Sequence, residues 1–96
     1  MHFVIHAEDR PDASSLRLAN YEAHKAYLAA ASQEGPVRIV MSGPLVSDDG
    51  QTMRGSLFIL EAPDRLSVEE FHRADPFASA GIWERVSISA FFKRQG

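Results

Sequence analysis

His24 and Asp75 are the residues of this chain whose types and surroundings best suit acid–base chemistry. His24 sits among apolar residues at helical spacing, and Asp75 directly precedes Pro76, where a helix break often leaves a side chain facing a cleft. A carboxylate beside an imidazole fixes the ring tautomer and raises the basicity of the ring, which prepares its free nitrogen to move a proton near neutral pH. The alternative is structural: His24 bonds a local carbonyl, and Asp75 caps the turn at Pro76.

Ser42, Gly43 and Ser56 are candidates for holding a substrate oxygen. Ser42 and Gly43 are expected to end one strand and Ser56 to begin another, so their hydroxyls and backbone N–H groups could line a pocket. Neither serine lies in a G-x-S-x-G elbow, which argues against a serine nucleophile and leaves structural turn roles open.

Metal chemistry finds little support in the residue pattern. His2 and His6 are far apart for one ion on a strand, and His72-x-x-Asp75 matches no defined ligand motif. The loop at Asp48-Asp49-Gly50 lacks the later ligands of a calcium loop. Cysteine is absent, which removes disulfides, thiolate metal sites and cysteine nucleophiles. We therefore expect no bound metal and a chemistry that needs no cofactor.

The totals indicate one small globular unit. The 96 residues are expected to form a single domain spanning residues 1–96, because no segment differs enough in composition to be a second one. The formal charge is −3 and the 10 Lys and Arg residues are scattered, which argues against nucleic-acid binding. No stretch approaches the roughly 20 apolar residues of a membrane span, and the apolar run 3–7 is too short for a signal-peptide core. We expect a soluble, cytoplasmic protein.

Periodicity and helix breakers predict the elements that position these residues. Strands are expected over 2–7, 37–42, 55–61 and 83–92, with a loop over 44–54. A long helix is expected from an N-cap at Ser14 or Ser15 to Glu34. A second helix should begin at the S-x-x-E pattern of residues 67–70, and Asp75-Pro76 should mark a break or a fresh turn that Gly81 closes.

The long helix carries two neighbouring stripes at helical spacing. The stripe expected to pack on the sheet consists of Leu16, Ala19, Ala23, Tyr27 and Ala30, and the stripe beside it of Tyr21, His24, Leu28 and Ala31.

The order β-α-β-β-α-β predicts a ferredoxin-like α+β fold, an antiparallel sheet with both helices on one face. The first and third strands nevertheless carry apolar residues on both sides, as Val4 opposite Phe3 and Ile59 opposite Phe58 illustrate. A sheet with one wet face should alternate apolar and polar residues, so the second face needs a cover. We expect a second copy to supply it, sheet against sheet, in a dimeric α/β-barrel-type homodimer.

Several motifs together resemble the YCII-related domain family. They are the histidine helix from Arg17 to Leu28, then Ser42-Gly43-Pro44 and Gly55-Ser56, then Ala74-Asp75-Pro76-Phe77-x-x-Ala80-Gly81, and a closing strand that ends Phe91-Phe92-Lys93. The match runs in order over nearly the whole chain. The resemblance implies a dimeric ferredoxin-like domain in which His24 and Asp75 face a pocket as a general acid/base dyad. One departure is Tyr21, since many members have an arginine there. Arg17 and Arg54 could take over anion binding, and a surface charge is the equally simple alternative for Arg17.

Two hypotheses of function follow. The first is a cofactor-independent enzyme that acts on a small organic, cyclic or aromatic substrate by proton abstraction, with elimination or hydrolysis as the reaction class. The resemblance includes a dehydrochlorinase-like member type, which favours elimination by analogy. The second is a dimeric module that binds a small molecule without converting it. A third, purely structural role in association predicts that no pocket forms around His24.

Overall fold

Four strands and three helices follow one another in the computed structural model, which describes residues 1–96. They are β1 (His2–Asp9), α1 (Ser14–Glu34), β2 (Arg38–Val46), β3 (Met53–Glu61), α2 (Arg65–Arg73), α3 (Pro76–Ser79) and β4 (Trp83–Phe91). The strands form one antiparallel sheet in the order β2-β3-β1-β4. This confirms the predicted ferredoxin-like α+β architecture. None of the helices has the combination of length and apolarity that crossing a membrane requires.

Both long helices pack on the same face of the sheet. Alternate residues of β1 and β3 are buried there, and the register places Phe3 beside Leu60 and Ile5 beside Phe58. The main core contains these four side chains with Val37, Ala62, Val68 and Phe71, and Tyr27, Leu28 and Ala31 of α1 pack against it. Every second side chain of these strands thus points to the apolar sides of the two helices, and together they form one core.

The other face of the sheet, called the open face below, has no helix over it. Register pairs Val4 with Ile59 and His6 with Leu57 on this face, and Met41 of the edge strand lies beside Ile59. Met41 is 64% exposed. The predicted second apolar face is therefore present on the protein.

The β2–β3 hairpin is longer than predicted. β2 continues through Pro44 to Val46, and β3 begins at Met53, so the predicted end of a strand at Gly43-Pro44 is wrong. A proline lacks the N–H of the ladder and is tolerated in an edge strand, which is the position of β2 in the sheet. Ser42 and Gly43 therefore lie within a strand, and Ser56 is inside β3 rather than at its start.

The helix starts also differ from the prediction. α1 begins at Ser14 after Ala13, which makes no side-chain cap. α2 begins at Arg65, because Asp64 Oδ1 accepts a hydrogen bond from Ser67 N at 2.9 Å and caps the helix ahead of the predicted S-x-x-E start. The break at Asp75-Pro76 is confirmed, since α3 begins there, and Gly81 follows α3 with a positive φ of 71°.

The inner face of α1 is more polar than its predicted stripe. The buried residue of α1 is Arg17. His24 and Leu28 are half-buried, whereas Ala19 and Ala23 are exposed. Alanine is an excellent helix former with little side chain to bury, so alanine spacing does not identify the packed face. The consequence for function is that α1 turns its Arg and His residues toward the sheet.

Gly55 of β3 is a site where the fold needs glycine. A Cβ there would overlap the carbonyl oxygen of Ala7 and lie 2.9 Å from Leu45 Cδ1, whereas a Cβ at Gly43 meets nothing within 4 Å. We expect Gly55→Ala to lower the free energy of unfolding by about 1–3 kcal/mol, through overpacking against the backbone of β1. Gly43→Ala is the matched control and should change stability by less than about 1 kcal/mol. Urea denaturation of both variants checks this, and equal stabilities would contradict it.

Candidate active site

The structure brings His24 of α1 and Asp75 into contact. His24 Nδ1 lies 2.8 Å from Asp75 Oδ1. The Asp75 side chain is 1% exposed and the His24 side chain 12% exposed. α1 supplies the ring from its inner face, and the break between α2 and α3 supplies the carboxylate. The geometry is that of a short, charge-assisted hydrogen bond in a largely buried site.

Asp75 also caps α3. Its Oδ1 accepts a second hydrogen bond from the backbone N–H of Phe77 at 2.9 Å, and Pro76 occupies the first turn of the short helix. The aspartate therefore holds the histidine and caps the turn at once, while the predicted alternative of His24 on a local carbonyl does not occur. An ionised carboxylate only accepts hydrogen bonds, so Nδ1 must carry the proton and Nε2 must be the free nitrogen of a neutral ring.

Three aromatic side chains fix the plane of the His24 ring. Phe77 stacks on it with a centroid distance of 3.9 Å and an interplanar angle of 6°. Phe58 and Trp83 meet it edge-on at 6.4 Å and 6.5 Å. With Nδ1 bonded and one ring face covered, the imidazole has little freedom to rotate.

Arg17 is buried, so the alternative interpretation of Arg17 as a surface charge is wrong. Its Nε and Nη2 donate to the two Asp9 carboxylate oxygens at 2.6 Å and 2.9 Å. Nη2 also donates to Gly55 O at 2.6 Å and to Ser56 Oγ at 3.0 Å. Asp9 at the end of β1 thus pairs with α1 across the connecting loop. No spacing motif predicts an ion pair between Asp9 and Arg17, and Asp9 was not among the predicted site residues.

Ser56 connects the arginine to the aromatic cluster. Its Oγ accepts from Arg17 and also lies 3.3 Å from Trp83 Nε1, an indole that can only donate. With both contacts accepting, the hydroxyl hydrogen of Ser56 remains available to a third partner. The indole N–H was not among the predicted polar groups of the site.

A cavity of about 650 Å³, called the site cavity below, opens beside these groups. Five of the predicted site residues line it, namely Arg17, His24, Ser42, Gly43 and Ser56, and Asp75 lies behind the His24 ring. The lining residues are Ser14, Arg17, Leu18, Tyr21, His24, Lys25, Leu28, Ser42, Gly43, Pro44, Gln51, Thr52, Met53, Ser56, Phe58 and Phe77. Arg54 borders a separate hollow in the β2–β3 hairpin instead.

Tyr27 and His72 are polar neighbours of the pair. The Tyr27 hydroxyl donates to Phe71 O at 2.7 Å, and burial raises its pKa, with the charge of Asp75 adding to the effect. The His72 ring stacks on Trp83 at 5.0 Å, and its Nδ1 is buried without a hydrogen-bond partner. Burial lowers the pKa of His72, and the opposing attraction of Asp75 is smaller.

Replacing His72 should reduce the loss of stability in acid. Because the folded protein holds the pKa of His72 below 6.5, the unfolded chain takes up that proton first as the pH falls, and stability drops. We expect the decrease in Tm between pH 7 and pH 5 to be smaller for His72→Gln than for the unmodified protein. Thermal melts monitored by circular dichroism at both pH values measure it. Identical pH dependence in the two proteins would contradict the expected contribution.

The chain is similar to a domain family, to a bacterial protein and to solved structures. The model of the YCII-related domain matches residues 1–92. Protein YciI of Escherichia coli O6:H1 is 33% identical, with 97% of this chain and 98% of that protein covered. The structure of 5-chloro-2-hydroxyhydroquinone dehydrochlorinase (TftG) from Burkholderia phenoliruptrix AC1100, in complex with 2,5-dihydroxybenzoquinone, is 32% identical with a TM-score of 0.83, covering 96% of this chain and 94% of that one.

Another solved structure shares only the fold. An antibiotic biosynthesis monooxygenase is 17% identical with a TM-score of 0.55, covering 99% of this chain and all of that one. The architecture is thus shared well beyond detectable sequence similarity. The family match and the full-length similarity to YciI establish that this chain belongs to the YCII-related domain family.

Proposed function

We propose that this protein is an enzyme in which His24 moves a proton to and from a small cyclic or aromatic substrate, and in which Asp75 orients the ring. The observation that carries the proposal is the 2.8 Å contact between His24 Nδ1 and the buried Asp75 carboxylate, beside a cavity that His24 itself lines. A buried carboxylate bonded to one imidazole nitrogen presents the other nitrogen as a base.

In this proposal the free nitrogen of His24 acts on the bound molecule. Nε2 makes no hydrogen bond within the protein and is not sealed away from the cavity. When Nε2 takes a proton from the substrate, the positive charge that forms on the ring lies against Asp75, which stabilises it without itself becoming protonated. The same nitrogen can return the proton to a leaving group or product.

Elimination is the reaction class that we favour. The dehydrochlorinase at 32% identity carries out an elimination on a ring that bears hydroxyl groups, by its name. In such a step a base takes a proton, the electron pair of the broken bond forms the new π bond, and chloride leaves with its own bonding pair. The apolar side chains of Leu28, Phe58 and Phe77 along the site cavity suit a planar ring.

Polar groups that line the site cavity would hold the oxygen atoms of the substrate. Ser42 and Gly43 of the edge strand line the cavity together with Arg17 and Ser56. We propose these four residues as the substrate-binding set. The cavity volume of about 650 Å³ falls within the roughly 300–1,000 Å³ range of small-molecule sites.

A binding module without turnover is the second candidate. The observation in its favour is the double use of Asp75 Oδ1, which also caps α3. A carboxylate with that structural duty could hold His24 merely as a hydrogen-bonding group for a ligand. Kinetics separate the two functions, because only an enzyme converts its ligand.

The test uses 5-chloro-2-hydroxyhydroquinone and measures chloride release by the purified protein and its variants. We expect turnover by the unmodified protein, and a decrease in kcat/KM of about 10²–10⁴-fold in His24→Gln and in Asp75→Asn. Asp48→Asn is the matched acid-to-amide control on an exposed loop and should retain full activity. Circular dichroism checks that each variant is folded.

Two outcomes would contradict the enzymatic proposal. Full turnover in both His24→Gln and Asp75→Asn would exclude the pair from the chemistry. Tight binding of the chlorinated hydroquinone with no chloride release at any pH from 5 to 9 would favour the binding module.

We further propose that the protein is a homodimer joined through the open face of the sheet. Val4, Leu57 and Ile59 lie on that face, Met41 beside them is exposed, and no element of the chain covers them. Burying such a face against a second copy removes a large apolar surface from water.

Oligomeric state tests this assembly. We expect a dimer by size-exclusion chromatography with light scattering, and a monomer for Leu57→Lys, which places a charge at the centre of the open face. Leu66→Lys is the control, since Leu66 is an exposed leucine on α2 away from that face. A monomeric unmodified protein, or a Leu57→Lys variant that stays dimeric, would refute sheet-to-sheet association.

A further inference from the structure

The Arg17 guanidinium has one edge that no protein atom uses. Its hydrogen bonds to Asp9, Gly55 O and Ser56 Oγ all start from Nε and Nη2. Arginine carries five N–H donors, and the two on Nη1 have no acceptor within the protein. Nη1 is also not sealed in the interior, and Arg17 lines the site cavity.

This edge is held rigidly. Both carboxylate oxygens of Asp9 accept hydrogen bonds from the guanidinium. The Asp9 side chain is 6% exposed and the Arg17 side chain 9% exposed. The Gly55 carbonyl oxygen lies 2.6 Å from Arg17 Nη2, and Ser56 Oγ is the third group that binds the guanidinium. A guanidinium fixed on three sides loses no side-chain freedom when it binds a ligand, so the remaining donors are preorganised.

The charges around the site cavity are arranged in layers. Arg17, Lys25 and His24 line the cavity, and no aspartate or glutamate does. The two buried carboxylates, Asp9 and Asp75, lie behind Arg17 and His24 respectively. Beside the His24 ring, the surface that a ligand meets therefore offers the Nη1 donors of Arg17 and the ammonium group of Lys25 but no carboxylate, and the Ser56 hydroxyl can add a further donor.

We infer that the ligand of this cavity is a small ring-containing anion, a carboxylate, phenolate or enolate, whose charged oxygen binds the Nη1 edge of Arg17. The inference rests on the proposed function only in taking the site cavity as the substrate site. Arg17 and His24 are seven residues apart on α1, two helical turns, and so share one face of the helix. Both also contact Phe77, His24 by stacking and Arg17 with its Cζ 5.2 Å from the ring centroid. The anion site at Arg17 and the imidazole of His24 thus lie along the same cavity, with Phe77 in contact with both.

The test compares benzoate with benzamide, which share a ring and shape but differ in charge. Each is titrated into the unmodified protein at pH 7.5 and low salt, with amide and arginine Nε–Hε signals followed by NMR. We expect benzoate to bind at least about fivefold tighter than benzamide and to shift the Arg17 Nε–Hε signal, because a charge-assisted bond is stronger than a neutral one.

Paired variants locate the charge that makes the difference. The double variant Asp9→Asn/Arg17→Gln removes both buried charges together, so neither is left unpaired, and it should bind the two compounds equally. Lys25→Gln removes the exposed cation of the cavity and should keep the preference for benzoate. If the double variant does not fold, the Arg17 signal of the unmodified protein decides the question.

Equal affinity of the unmodified protein for benzoate and benzamide would overturn the inference. A preference that survives in Asp9→Asn/Arg17→Gln and disappears in Lys25→Gln would also overturn it, by placing the anion at Lys25. Either result leaves the acid–base proposal intact if His24→Gln still abolishes chloride release. Conversely, a benzoate preference at Arg17 stands even if no variant of His24 alters turnover.

Discussion

The hydrogen bond between His24 Nδ1 and Asp75 Oδ1 is the interaction on which the rest of the site depends. It joins the middle of α1 to the first turn of α3, two elements that are far apart in the chain. Asp75 is fully buried, and its Oδ1 receives only the imidazole and the Phe77 N–H. Removing one partner of such a buried pair costs about 3–5 kcal/mol in other proteins, because the remaining group is left uncompensated. The position of α3 against α1 and the orientation of the imidazole are therefore coupled.

The site repeats one design at two points. In each case a buried carboxylate is hydrogen-bonded to a nitrogen group of a residue that lines the site cavity, Asp75 to His24 and Asp9 to Arg17. Each buried carboxylate pairs with a nitrogen group, which offsets part of the free-energy cost of removing that group from water. This arrangement also keeps carboxylates out of the cavity wall.

Much of this arrangement followed from the sequence. Strand alternation and helix breakers predicted the order of elements, and the D-P dipeptide marked the start of α3. What failed has local physical reasons. Pro44 looked like the end of a strand because its place at the sheet edge is a tertiary fact, and the alanines of α1 concealed which face is packed. Within the site, His24 and the pocket residues could be named from motifs, whereas Asp9 and the Trp83 N–H could not, because their partners are set by strand and helix packing rather than by spacing.

The central physical claim is that Asp75 holds His24 with the proton on Nδ1 and the lone pair of Nε2 directed to the cavity. Long-range ¹H–¹⁵N correlation of the histidine side chains at neutral pH reads the tautomer of each ring directly. We expect His24 to be in the Nδ1–H form in the unmodified protein and to lose this fixed tautomer in Asp75→Ala. An Nε2–H tautomer for His24 in the unmodified protein would contradict it, because the nitrogen facing the cavity would then be a donor and could not take a proton from a substrate.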